Sequence, residues 1–244
     1  KKVAQIIKKK LINKNQKALV VVSAMSGVTN NLVEEFSRLK IDINDPEYDS
    51  ILSTGEQYSS SLMSLVLSKS GLRSRSLLGW QIPIHTDNNY SRARIRLINS
   101  KKILELFKIF DVLVVAGFQG ISDDNRITTL GRGGSDTSAV ALATAMKADL
   151  CEIYTDVEGI FTSDPRIVRN AKKIKTITYE EILEMSSSGS KVLHPRSVEL
   201  AMKYGIKIHV RSTFSEKLGT MVVKEEKKLE REIVTGISVS DNEA

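Results

Sequence analysis

The chain has 244 residues, of which 41% are hydrophobic and 27% are charged, and its net charge is +7. This length and composition suit one large α/β domain or two small ones with a buried core. No apolar run is long enough to span a bilayer, and no signal peptide opens the sequence. The single cysteine, Cys151, excludes an internal disulfide and fits a reducing compartment, so we predict a cytoplasmic protein.

The positive charge does not indicate nucleic-acid binding. Aromatic residues make up only 5% of the chain, and the lysines are spread over predicted helix surfaces. Lysines 8–10 lie on the polar side of an amphipathic pattern formed by Val3, Ile6, Ile7 and Leu11. A net positive charge can equally attract anionic small molecules.

Strand and helix signals alternate along the first half of the chain. The apolar run at residues 18–22 predicts a buried parallel strand, followed by a loop of small and hydroxyl residues at 23–30. The remaining predictions are a helix through Phe36, a polar turn at 41–50, a helix at 51–68, a strand at 73–78, a loop at 80–89, a helix at 101–110 and a strand at 112–118.

The second half continues the alternation. An alanine-rich helix is predicted at 137–146 and a strand at 151–154. Thr178, with Glu181 three residues later, forms a capping box that predicts a helix through Met185. A further helix should start at His194-Pro195 and end near Gly205, and the next strand carries Ile206, Ile208 and Val210.

This order predicts an α/β fold with a mostly parallel sheet covered on both faces. In such folds ligands bind beyond the carboxyl ends of the strands, where the loops gather. Four loops fall at that edge: residues 23–30, 118–136, 155–166 and 186–194.

The most informative loop is Gly131-Arg132-Gly133-Gly134-Ser135-Asp136, which precedes the alanine-rich helix. Its glycines let backbone N–H groups approach a ligand, and a helix N-terminus adds a partial positive charge. The Arg132 guanidinium can bind a carboxylate or phosphate through two hydrogen bonds. The loop lacks the Gly-Lys-Ser/Thr ending of a Walker loop, and a plain glycine-rich turn is the alternative interpretation.

Other candidate residues each have a functional and a structural interpretation. Glu56, beside a glycine near a helix start, could bind a substrate ammonium or simply favour the helix dipole. Lys191 could reach a phosphate or be a surface lysine. The Asp164-Pro165-Arg166 segment could be a structural turn. The three histidines match neither a metal site nor a catalytic triad, so we assign them structural or surface roles and predict no metal ligands.

Taken together, these motifs resemble the aspartate kinases of the amino-acid kinase family. The segments that carry the resemblance are VVVSAMSGVTN, LSTGE, VVAGFQG, TTLGRGGSD, YTDVEGIFTSDPR and GSKVLHPRS, in the order and spacing of that family. The resemblance extends over residues 1–223, which it identifies as a catalytic domain. Residues 224–232 then read as a charged connector, and 233–244 resemble the first strand of a regulatory ACT domain.

The resemblance implies a three-layer αβα sandwich of the carbamate-kinase-like type. It also implies phosphoryl transfer from MgATP to the side-chain carboxylate of L-aspartate, with 4-phospho-L-aspartate as product. This is the first step toward lysine, threonine, methionine and diaminopimelate, and the family commonly forms homodimers. A carboxyl group with a pKa of about 3.9 is already ionised at neutral pH, so no general base is needed.

Residue roles also follow from the resemblance. Arg132 would bind the α-carboxylate of aspartate, Glu56 and Asp136 its ammonium, and Ser23 and Thr29 would line the pocket. The nucleotide would contact Gly133, Gly134, Ser135, Thr155, Asp156 and Phe161, with Arg166 and Lys191 on its phosphates. Arg132, Asp136 and Lys191 are thus the predicted catalytic residues.

The sequence departs from the family pattern in two ways. The Lys-Phe-Gly-Gly-Thr-Ser loop and its strand should lie just before Lys1, so we expect a fragment that is catalytically impaired by itself. Phe161 stands where many relatives carry a tyrosine, so a hydroxyl hydrogen bond to the nucleotide would be lost. Two alternatives remain: another family member that acts on glutamate, acetylglutamate or a nucleotide, or a non-catalytic nucleotide-binding fragment.

Overall fold

The computed structural model describes residues 2–14, 16–39, 42–187, 192–225 and 236. The chain divides into two compact units, Lys1–Ala145 and Met146–Ala244. Both combine helices with strands, and most strand pairs in their sheets are parallel. No helix in the described part of the chain has the length and apolar character needed to cross a membrane.

The elements of the first unit are, in chain order, α1 (Lys2–Lys14), β1 (Ala18–Val22), α2 (Val28–Ser37), α3 (Pro46–Leu52), α4 (Thr54–Lys69), β2 (Ser74–Leu77), β3 (Ile84–Thr86), β4 (Ile95–Ile98), α5 (Ser100–Phe107), β5 (Val112–Ala116), β6 (Gln119–Ile121), β7 (Ile127–Thr129) and α6 (Gly134–Ala145).

Strand β5 is the centre of the first sheet, whose order is β1-β5-β2 with both pairs parallel. All five β5 residues are buried, which agrees with the continuous apolar run of its sequence. Ala4 and Leu11 of α1 and Leu67 of α4 cluster with Val112 and Val114 of β5. A fully buried valine or leucine side chain stabilises the fold by about 1.5–3 kcal/mol.

A second sheet of the first unit, of order β4-β3-β6-β7, was not predicted from the sequence. Residues 80–89, expected to be loop, contain β3, and residues 118–136, also expected to be loop, contain β6 and β7. These strands have only three residues each, which is too short for a hydrophobic alternation to be recognised.

Helix α3 corrects another prediction, because it begins at Pro46 inside the segment expected to be a turn. Its N-cap is Asp45, whose side chain accepts a hydrogen bond from the Glu47 N–H, and proline at the first helical position fits the start of a helix. The helix predicted at 51–68 is therefore divided at Ser53, where α3 ends and α4 begins. The helix predicted at 101–110 ends at Phe107.

The second unit contains β8 (Leu150–Thr155), β9 (Thr176–Thr178), α7 (Tyr179–Ser187), α8 (Pro195–Tyr204), β10 (Lys207–Ser212) and β11 (Thr220–Val223). Its sheet has the order β8-β10-β11-β9, with β8 and β10 parallel. The predicted capping box is present: Thr178 N donates to Glu181 Oε2 at 2.8 Å, and Glu181 N donates to Thr178 Oγ1 at 3.2 Å.

Helix α8 has the predicted start and end. His194 is its N-cap, and the Arg196 N–H donates to His194 Nδ1 at 3.3 Å. Gly205 ends the helix in the left-handed conformation, with φ 69°. This places His194 in a capping role.

Candidate active site

The carboxyl ends of β1 and β5 lie side by side in the first unit, because the Gly117 N–H after β5 donates to the Val22 carbonyl of β1 at 3.0 Å. Helix α6 starts against this edge. A Cβ on Gly117 would lie 2.9 Å from Val21 Cγ1 and 3.0 Å from Ser135 Oγ, so only glycine permits this approach. Ser135 is thereby placed at the strand ends, where the sequence predicted a ligand site.

The glycine-rich loop reaches α6 through two residues in the left-handed conformation, Gly131 (φ 74°) and Gly133 (φ 67°). The Gly134 N–H donates to the Gly131 carbonyl at 2.9 Å, which closes the turn. A Cβ on Gly134 would lie 2.7 Å from Phe118 Cδ2. The N-terminus of α6 therefore packs directly against Phe118.

Phe118 also lies at this strand edge, although the sequence did not single it out. Its φ of 68° is left-handed, which is a strained conformation for a bulky residue. Two hydrogen bonds hold it: its N–H donates to Ser138 Oγ at 3.0 Å, and its carbonyl accepts from the Leu130 N–H at 2.8 Å. Strain of this kind clusters at functional sites, but the single sequence gave no signal for it.

Arg132 lies in this loop with an exposed side chain, and no described acidic residue pairs with it. Four residues further on, Asp136 lies in the first turn of α6. Burial raises the pKa of the Asp136 carboxyl to about 6. The loop thus presents a free guanidinium and a desolvated carboxyl near a helix N-terminus.

Glu56 is buried, with 3% of its surface exposed, in the first turn of α4. Its Oε1 accepts the Ala24 N–H at 2.9 Å, whereas its Oε2 has no hydrogen-bond partner among the described residues. Burial raises the pKa of this carboxyl above its ordinary value. A Cβ on Gly55 would lie 2.7 Å from Ala24 Cβ, so this glycine lets α4 approach the loop after β1.

The other predicted pocket residues lie on that same loop or just after it. Ser23 directly follows β1 and is exposed, and Thr29 lies half-buried in the first turn of α2. Helix α2 starts after Gly27, which is left-handed at φ 83°. The structure therefore brings the loop that carries Ser23 into contact with the start of α4, which carries Glu56.

The second unit carries the remaining predicted residues. Thr155 ends β8, and its Oγ1 donates to Asp156 Oδ1 at 3.0 Å. Arg166 forms an exposed ion pair with Asp164, with 2.7 Å between Nη2 and Oδ2. Phe161 is half-buried and forms an isolated β-bridge with Lys173. Lys191 lies outside the described residues.

The described residues hold no group of three or more His, Cys, Asp or Glu side chains that could bind a metal ion. The first unit instead offers a guanidinium, two buried or half-buried carboxylates and a helix N-terminus at the carboxyl ends of parallel strands. This is the composition of a binding site for a small molecule with both an anionic and a cationic group. The fold and these groups thus define an α/β protein with a candidate site for small charged ligands at its strand ends.

The model of the amino acid kinase family matches residues 1–212. The chain belongs to the amino acid kinase family, which confirms the α/β fold predicted from the sequence.

Individual relatives are aspartokinases. The chain is 50% identical over 246 residues to an aspartokinase of Rickettsia felis, covering 99% of this chain and 61% of that protein. It is 48% identical over 227 residues to an aspartate kinase of Pseudomonas putida, covering 93% and 55% of the two chains. The chain thus spans about three fifths of the length of these curated relatives.

Solved structures agree. Aspartate kinase from Synechocystis matches with a TM-score of 0.79 and 46% identity, covering 92% of this chain and 37% of that one. E. coli aspartokinase III in complex with aspartate and ADP matches with a TM-score of 0.80 and 28% identity, covering 93% and 61%. Uridylate kinase from Archaeoglobus fulgidus, at 18% identity and a TM-score of 0.57, shares the fold.

Proposed function

We propose that the whole protein is an aspartate kinase, which transfers the γ-phosphate of ATP to the side-chain carboxylate of L-aspartate and releases ADP and 4-phospho-L-aspartate. The observation that carries this proposal is Glu56, a buried carboxylate whose Oε2 has no partner among the described residues. A buried anionic oxygen of this kind is stabilised when a ligand ammonium binds it. The relatives named aspartokinase supply the second support.

In this proposal the first unit recognises aspartate. Arg132 binds the α-carboxylate, because its exposed guanidinium can donate two parallel hydrogen bonds. Glu56 and Asp136 bind the ammonium, and Ser23 and Thr29 line the pocket. A site that contains both a guanidinium and carboxylates favours an amino acid over a nucleotide as the acceptor.

The reaction needs charge neutralisation more than proton transfer. The side-chain carboxylate of aspartate is ionised at neutral pH and attacks without a base. Its approach to the γ-phosphate is opposed by repulsion between the two anions, which cations and backbone N–H groups reduce. We assign Gly133, Gly134 and Ser135, at the start of α6, to the phosphate side of the site.

The second unit holds the proposed nucleotide residues. Thr155, Asp156 and Phe161 contact the nucleotide, and Arg166 and Lys191 bind its phosphates. Arg166 must leave Asp164 to do so. The loss is small because the pair is exposed and water screens the attraction between its two charges.

Mg²⁺ enters this proposal as part of the substrate MgATP. A magnesium ion that arrives on phosphates keeps several waters and needs few protein ligands. Asp156, directly after β8, is a single carboxylate that would meet such an ion.

We also propose that the protein is a cytoplasmic homodimer that supplies lysine, threonine, methionine and diaminopimelate synthesis. Residues 233–244 would begin an allosteric ACT domain; apart from Gly236 they lie outside the described part of the chain. Support for a dimer comes from the first unit, where β2 is an edge strand and α4 exposes Tyr58 and Leu65. Light scattering on the purified protein would measure its mass in solution.

The Glu56→Gln variant tests the proposal in the protein expressed from its complete natural gene. The amide keeps an oxygen for the Ala24 N–H but turns an NH2 group toward the substrate ammonium. We expect kcat/KM for aspartate to fall by about 100-fold or more while the KM for ATP stays within about twofold. ADP release measured against aspartate and against ATP gives both values.

Glu34→Gln is the matched control, because Glu34 is an exposed carboxylate on α2 whose partner is Arg38 in the next turn. It should leave both constants unchanged. A wild-type protein without aspartate-dependent ADP release would refute the proposed function.

A further inference from the structure

We propose that Asp49 is a positioning residue that holds the Arg132 loop in the geometry needed to bind the α-carboxylate of the acceptor. The proposal rests on the proposed function, because it assigns a supporting residue to the same acceptor site. Asp49 lies on α3, within the segment that the sequence predicted to be a turn, and it is fully buried.

Both carboxylate oxygens of Asp49 accept hydrogen bonds from two distant segments. Thr129 donates its N–H to Oδ2 at 2.6 Å and its Oγ1 hydroxyl to Oδ1 at 2.7 Å. The Ser91 N–H lies 2.9 Å from each oxygen. One side chain on α3 therefore connects the end of β7 with the loop before β4.

These two segments are the ones that shape the glycine-rich loop. Thr129 is the last residue of β7, three residues before Arg132, and the intervening Leu130 is buried. A Cβ on Gly131 would lie 2.9 Å from the Ser91 carbonyl oxygen, so the Ser91 backbone packs directly on this glycine. Displacement of either segment would change the direction in which Arg132 leaves the loop.

The Ser91 backbone also has an unusual conformation. Its φ of 60° is left-handed, which is uncommon for a serine. That conformation directs its N–H to Asp49 while its carbonyl oxygen faces Gly131. The carboxylate thus stabilises a strained turn that forms one wall of the Arg132 loop.

The hydrogen-bond donors around Asp49 favour its carboxylate form. All the groups that face the Asp49 oxygens are donors, namely two backbone N–H groups and one hydroxyl. No described lysine or arginine forms an ion pair with Asp49, so these hydrogen bonds alone compensate for its burial. An asparagine offers one acceptor oxygen in place of two, so the Ser91 N–H would lose one of its two contacts and the Thr129 hydroxyl could no longer donate to the replaced oxygen.

The test compares Asp49→Asn with wild type in the protein from its complete natural gene. We expect kcat/KM for aspartate to fall by roughly 10- to 100-fold, mainly through KM, because a misplaced Arg132 loses binding in the ground state and transition state alike. The KM for ATP should change by less than about twofold. Glu47→Gln, an exposed residue of the same helix that pairs with Arg126, is the matched control and should change neither constant.

A double-mutant cycle separates positioning from general stability. If Asp49 acts through Arg132, Asp49→Asn should lower kcat/KM for aspartate by less than about threefold in an Arg132→Ala background. An equal effect in both backgrounds would overturn the proposal. So would an unchanged KM for aspartate, or a parallel rise in the KM for ATP.

Thr129→Val serves as the second variant if Asp49→Asn does not fold, because it removes only the hydroxyl donor and keeps the backbone N–H. We expect Thr129→Val to lower kcat/KM for aspartate by about 3- to 10-fold. This fall should be absent in the Arg132→Ala background. A wild-type protein inactive with aspartate would overturn this proposal together with the proposed function. Active wild type with a normal Asp49→Asn variant would overturn this proposal alone.

Discussion

Glu56 and Asp136 are carboxylates that the fold desolvates without an ion pair to any described lysine or arginine. Burial raises the pKa of both, and that of Asp136 reaches about 6. An unpaired carboxylate of this kind lowers the stability of the free protein. Residues that reduce stability in this way are typical of sites that bind a charged ligand.

Asp136→Asn should therefore stabilise the free protein at neutral pH while it abolishes aspartate binding. The unfolded chain releases this proton near the ordinary pKa of 3.8, and the folded chain releases it near 6, so the free energy of unfolding falls between these pH values. We expect the variant to be more stable than wild type by roughly 1–3 kcal/mol at pH 7.5, with the difference disappearing toward pH 4.

Denaturant unfolding of both proteins at pH 4.5, 6 and 7.5 would measure this difference. An Asp136→Asn variant that is equally or less stable than wild type at every pH would contradict the burial of this carboxyl. Isothermal titration with aspartate on the same samples would report the accompanying loss of binding.

Between elements, the decisive contact is that of α6 with the carboxyl ends of β1 and β5. Gly117→Ala should disturb it, because the new methyl group would lie 3.1 Å or less from Val21 Cγ1, Ser135 Oγ and Ser135 Cα. We expect a loss of about 1–3 kcal/mol in stability and a fall of at least about 10-fold in kcat for aspartate phosphorylation. Thermal unfolding and steady-state kinetics would check both effects.

Gly71→Ala is the matched control. Gly71 has a φ of 91°, but no atom lies within 4 Å of an added Cβ, and it follows the C-terminal end of α4, whereas Glu56 lies in the first turn of that helix. It should cost about 1 kcal/mol through backbone strain and leave kcat unchanged. Equal kinetic effects of the two substitutions would show that the α6 contact has no catalytic importance.

The helices and strands also show which parts of the fold could be predicted from the sequence. Strand β1 and the caps of α7 and α8 follow from local signals, namely an apolar run, a Thr-Glu capping box and a Gly C-cap. The three-residue strands and α3 depend on tertiary pairing, and with α3 the buried carboxylate of Asp49 was missed. The Asp45-Pro46 pair was the available signal for α3.

For the candidate site, sequence motifs predicted which residues to consider, and topology explains why those of the first unit gather at one strand edge. Burial and hydrogen bonding could not be read from the motifs. Three features depend on packing between segments distant in the chain: the Glu56 Oε2 without a hydrogen-bond partner among the described residues, the raised pKa of Asp136 and the strained Phe118.

At the scale of the whole molecule, the proposed acceptor residues belong to the first unit and most proposed nucleotide residues to the second. Asp156→Asn should therefore raise the KM for ATP by about 3- to 10-fold and change the KM for aspartate by less than about twofold. Glu158→Gln is the control, since Glu158 pairs with Lys217 in the same unit. Steady-state kinetics in which a single variant changes both KM values equally would contradict this division.

The acceptor specificity of the whole protein tests the central claim most directly. The protein from its complete natural gene would be incubated with MgATP, hydroxylamine and one of three carboxylate acceptors: L-aspartate, L-glutamate or N-acetyl-L-glutamate. UMP is tested separately by ADP release, because its product UDP contains no acyl phosphate. Hydroxylamine converts an acyl phosphate into a hydroxamate that can be measured by its iron complex. We predict hydroxamate formation with L-aspartate and at least about 100-fold less with the others; no product with L-aspartate, or a preference for another acceptor, would contradict the account.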